Sequence, residues 1–67
     1  MAIERELSGI YSRQYYELLL VENDCIRLFG KAPPQLIQSI NSVCTQLTKE
    51  EIAMVRERAA AYIATTS

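Results

Sequence analysis

The segment from Gly30 to Pro34 is the one sharp interruption in a sequence that otherwise reads as helix. The chain holds only two glycines and two prolines, and three of those four residues fall here. So short a connection turns the following helix back antiparallel on the one before it. No alternating apolar and polar run of the kind a half-buried strand needs is present, and there is no internal repeat. The pattern predicts an all-α single domain over residues 1–67: a helical hairpin or three-helix bundle, one long helix with two shorter ones.

The first helix is expected over about residues 3–29. Glu4 and Glu6 suit the positive end of its dipole, and Gly30 stands where a left-handed cap is wanted. One stripe on it is Leu7, Tyr11, Gln14, Leu18, Val21, Cys25 and Leu28, spaced alternately by four and three. That is a coiled-coil-like seam with a polar interruption at Gln14. A second stripe is Tyr15, Leu19, Ile26 and Phe29.

The second helix is expected over about residues 34–47, with Pro34 tolerated in its first turn. Leu36, Ile37, Ile40, Val43, Cys44 and Leu47 make a single apolar face. The third is expected over about residues 49–64. It is announced by a capping box, Thr48 to Glu51, with Leu47 and Ile52 placed as the hydrophobic staple. Its apolar face is Ile52, Val55, Ala59, Tyr62 and Ile63, and the run Ala59-Ala60-Ala61 allows close helix approach. Residues 64–67 read as a loose tail.

A chain of 67 residues buries only about 60% of its unfolded surface, and small domains usually add a metal, a disulfide or a second subunit. Histidine is absent and the only cysteines are Cys25 and Cys44, too few ligands for a zinc site. Across a hairpin turning near residue 32 the two thiols stand roughly 8 Å apart along the axis, beyond easy bridging distance, so both are expected to stay free. The acidic start MAIERELSG is unlike a secretory signal, which points to a cytoplasmic protein. The longest apolar run, Leu18 to Val21, is far too short to span a bilayer. A second subunit is the route left.

Helix lengths point the same way. The first helix would be about 40 Å long and the others about 21–24 Å. The short helices are expected to cover its C-terminal half and leave Ile3, Leu7, Ile10 and Tyr11 bare. Two outcomes remove that exposure. In one, a second copy packs there, giving a homodimer through Ile3, Leu7, Ile10, Tyr11, Gln14 and Leu18. Alternatively the chain breaks at Ser8-Gly9, since glycine inside a helix costs about 0.5–1 kcal/mol relative to alanine. Leu18, Leu19, Leu20 and Val21 also point almost all round the helix, more than one internal core can hold.

Residues 32–48 contain no charged side chain. Interface cores are depleted in charge, so the polar side of the second helix is a candidate contact, the alternative being an ordinary solvated face. The candidate partner-binding residues are Gln35, Gln38, Asn41, Ser42 and Thr45, together with Tyr16, which lies near Arg13, a pairing of types favoured at hot spots.

Other classes fit less well. The net charge is -1. The second and third helices could be read as a helix-turn-helix offering Lys49, Arg56 and Arg58, but Glu50, Glu51 and Glu57 interleave them and phosphate affinity needs net positive surface. Without histidine or a glycine-rich phosphate loop, and with Glu50 and Glu51 used in capping, no catalytic, cofactor or metal residues are assigned. The reading is a non-enzymatic cytoplasmic regulatory or adaptor protein. It would inhibit, escort or scaffold a larger protein as a homodimer. A small DNA-binding transcription regulator and a structural subunit of a larger assembly are the alternatives.

Overall fold

A computed structural model describes residues 9–66. Three helices account for most of them: α1 is Ile10–Phe29, α2 is Pro34–Cys44 and α3 is Lys49–Thr66, with no strand among the described residues. The all-α three-helix expectation holds. Several boundaries move, each for a local reason.

α1 starts at Ile10 and does not run from near residue 3. Gly9 is extended, with φ -76° and ψ 144°, and its carbonyl accepts the Arg13 N–H at 3.1 Å. Glycine therefore caps the helix instead of sitting inside it, where it would lose the most backbone freedom. Ile3 and Leu7 lie outside the described residues. At the other end Gly30 adopts φ 83° and donates its N–H to the Ile26 carbonyl at 2.8 Å. A Cβ there would meet nothing within 4 Å, so the left-handed backbone, not lack of space, is what calls for glycine.

α2 ends at Cys44, although its apolar pattern continues to Leu47. The N–H groups of Thr45, Gln46 and Leu47 bond carbonyls three residues back, at 3.2, 2.9 and 3.2 Å. The Thr45 hydroxyl also donates to the Ser42 carbonyl at 2.6 Å. This tightened turn satisfies the last carbonyls of the helix while leaving Leu47 half-buried. The capping box then starts α3: the Glu51 N–H donates to Thr48 Oγ1 at 3.1 Å, and the Thr48 N–H to Glu51 Oε1 at 2.8 Å.

α3 runs on through Thr66, so residues 64–66 are helix and not a tail; Ser67 is outside the described residues. The Thr65 hydroxyl lies 2.9 and 2.8 Å from the Ala61 and Tyr62 carbonyls, and that of Thr66 lies 3.2 Å from those of Tyr62 and Ile63. These back-bonds occupy carbonyls that an exposed helix end would leave open.

α2 and α3 both pack on α1 and scarcely on each other. The centre of the core takes one side chain from each helix: Tyr15, Ile40 and Val55. Leu18, Leu19, Leu36, Val43, Cys44, Leu47, Ile52 and Met54 close round it. Ala59 is buried, its small side chain permitting α3 to approach α1.

α1 is bare at both ends. Ile10 is 74% exposed and Tyr11 45%, as expected, but along the core-facing stripe Tyr15 is 3% exposed, Ile26 50% and Phe29 74%, so the C-terminal end, expected to be covered, is bare as well. α2 and α3 are joined by the short Thr45–Thr48 connection, which holds them together over Tyr15. α2 enters directly after the Gly30–Pro33 turn and is only about 16 Å long against about 30 Å for α1, so it covers part of α1 only. Leu18, Leu19 and Leu20 are each half-buried and Val21 is exposed, as expected for four residues pointing round a helix. Cys25 and Cys44 are free thiols, half-buried instead of buried.

Candidate functional site

The other α1 stripe forms the most extended uncovered feature. Tyr11 is 45% exposed, Val21 49% and Leu28 65%, with Gln14 also exposed and Leu18 and Cys25 half-buried. Ile10 adds to it at the N-terminal end, almost bare. Each large apolar side chain left wet forgoes roughly 1.5–3 kcal/mol at full burial, so a half-exposed row of them is a sizeable unfavourable surface.

Midway along this stripe α1 and α2 stand apart, leaving a groove of about 590 Å³. α1 contributes Gln14, Glu17, Leu18 and Val21; α2 contributes Gln38, Ser39, Ser42 and Val43. Leu18, Val21 and Val43 supply apolar surface. Two amides and two hydroxyls supply donors and acceptors, and Glu17 is the only charged side chain lining it. The groove thus combines apolar surface with a few polar groups.

The groove unites residues expected to do separate jobs. Gln14 and Leu18 belong to the expected self-association seam, Gln38 and Ser42 to the expected partner face. Gln35, Asn41 and Thr45 are exposed but do not line the groove, and the Thr45 hydroxyl is engaged in the turn that ends α2. Tyr16 is elsewhere. It lies about 200° round α1 from Gln14, half-buried, with its ring 6.4 Å from that of Tyr62 in an edge-to-face contact. That geometry makes it an α1–α3 packing residue. Glu17, Val21, Ser39 and Val43 join the site. Val21 and Val43 had a signal in the apolar stripes. Glu17 could be found only by noting which charge borders the seam.

Behind the groove Tyr15 fixes α1 against the other helices. Burial pushes its hydroxyl above the usual tyrosine range, a hydrogen bond and charge interaction with the Cys44 side chain and the nearby Glu22 push the same way, and Arg56 opposes. No buried side-chain nitrogen or oxygen among the described residues lacks a partner. On the far side, Leu19, Glu22, Asn23 and Ile26 face Arg56, Ala59, Ala60 and Ile63 across a smaller groove of about 190 Å³. Arg56 is thus turned toward α1, and Arg58, about 200° away on α3, cannot share its surface. Lys49 and Arg56, seven residues apart, share one side of α3, and Arg58 does not.

Among the described residues there is no cluster of three His, Cys, Asp or Glu side chains able to hold a metal ion. None of their helices is long and apolar enough to cross a membrane. No family model, curated protein or solved structure matches the chain.

Proposed function

We propose that the protein is a non-enzymatic regulatory or adaptor protein that works by binding another polypeptide in the α1–α2 groove. The observation that carries this reading is the α1 stripe from Tyr11 to Leu28, with Tyr11, Val21 and Leu28 exposed and bordered on α2 by a face without charge. Helix-in-groove recognition needs such a row of apolar residues at helical spacing beside orienting polar groups. This chain inhibits, escorts or scaffolds the larger protein that supplies the occupant, in the cytoplasm. A second copy occupying the same stripe as a homodimer is the competing assembly.

Quantitative capture from cell extract tests it, comparing the wild type with Val21→Asp and with the pair Gln38→Glu, Ser42→Glu. All three sites are exposed, so the variants should keep wild-type helicity by circular dichroism. The reading predicts that the proteins enriched by the wild type are lost from both. Undiminished capture by both variants would clear the groove of any role.

A further inference from the structure

We infer that the groove takes an amphipathic helix with a basic flank from a different protein, in preference to a second copy of this chain. The inference rests on the protein-binding reading above, and charge decides between the two occupants. In the heptad spacing of the stripe, Tyr11, Leu18 and Cys25 occupy one set of seam positions and Gln14, Val21 and Leu28 the other. The charged residues that flank the seam are then Glu17, Glu22 and Asp24, all acidic. Flanking charges of this kind select partner and orientation in paired helices.

A second copy meets those charges whichever way it lies. In a parallel pair the flanking contact joins a residue to the one five further on in its partner, which sets Glu17 against Glu22 of the other copy. In an antiparallel pair with Leu18 facing Val21, Glu17 meets Asp24. Twofold symmetry makes each repulsion occur twice. Asp24 has a local counter-charge, since Arg27 donates to it at 3.1 Å, but this pair is exposed and such pairs contribute little. Glu22 is half-buried and close enough to Tyr15 to influence it, so the more open flank for an incoming helix is the one carrying Glu17 and Asp24. Glu17 also lines the groove itself. Across from it α2 offers no charge at all between residues 32 and 48. The incoming helix therefore gains from a lysine or arginine on its α1 side and from amide or hydroxyl groups on its α2 side, with an apolar row between them over Leu18, Val21 and Val43.

Two synthetic helical peptides provide the probe. Both carry the same leucine stripe; one is flanked by lysines, the other by glutamates. Binding of each to the full-length protein is followed by fluorescence anisotropy, while sedimentation reports the protein's own mass. The expected result is a monomer that binds the lysine peptide at least about tenfold more tightly, with Glu17→Lys inverting the preference and Val21→Asp weakening both peptides. Equal affinity for the two peptides, or a preference that Glu17→Lys leaves unchanged, overturns the basic-flank inference while the protein-binding reading stands. A wild-type dimer that Val21→Asp converts to monomer also overturns it and installs the second copy as occupant. Loss of peptide preference together with capture indifferent to Val21→Asp would remove both.

Discussion

At the scale of single residues, Tyr15 is the α1 side chain at the centre of the core, beside Ile40 and Val55. It belongs to the stripe with Leu19, Ile26 and Phe29, yet it alone of these is buried, because it lies where α2 and α3 converge. Its raised hydroxyl pKa has a consequence for stability. The folded state holds this proton more tightly than the unfolded chain does, so the associated stability is complete below the ordinary tyrosine value of about 10 and is lost as pH rises through the folded-state value. Denaturant melts at increasing alkaline pH should show wild-type stability falling above about pH 10. Tyr15→Phe should flatten that fall. Equal alkaline slopes for the two proteins would contradict the assignment. That Tyr15 is core and Tyr11 is not could not be read from the sequence, where both sit on apolar stripes. The choice is made by which stripe the other two helices cover.

At the scale of elements, what was legible was what is local. The Gly30 cap and the Thr48–Glu51 box depend on a few neighbouring residues, and both appear with the expected hydrogen bonds. Thr48→Ala removes one of the two bonds and should lower stability by about 1 kcal/mol, measured as a shift in the denaturant midpoint with unchanged slope. A change under a few tenths would mean that the Leu47–Ile52 staple alone holds the start of α3. The helix ends that shifted were decided by competing hydrogen bonds which apolar periodicity does not record. Thr45 tightens the chain after Cys44, and Thr65 and Thr66 bond back into the last turn of α3. At Gly9 the extended backbone caps α1, so that helix begins at Ile10.

At the scale of the whole molecule, three helices sharing a core at one end of α1 leave more apolar surface than so small a chain can bury. The sequence announced that surplus through Leu18 to Val21 and through the seam from Tyr11 to Leu28. It could not announce where the surplus would lie. That depended on α2 and α3 each packing on α1 and scarcely on each other, a tertiary outcome. The candidate site was legible in parts: Gln14 and Leu18 from the seam, Gln38 and Ser42 from the uncharged face, with nothing to say that the two would meet. Amide hydrogen exchange, compared between the free protein and its captured complex, addresses the groove most directly. New protection should appear over residues 14–21 of α1 and 38–43 of α2 and leave α3 unchanged. Protection confined to α3, or none in either groove segment, would contradict the central claim that this groove is where another chain binds.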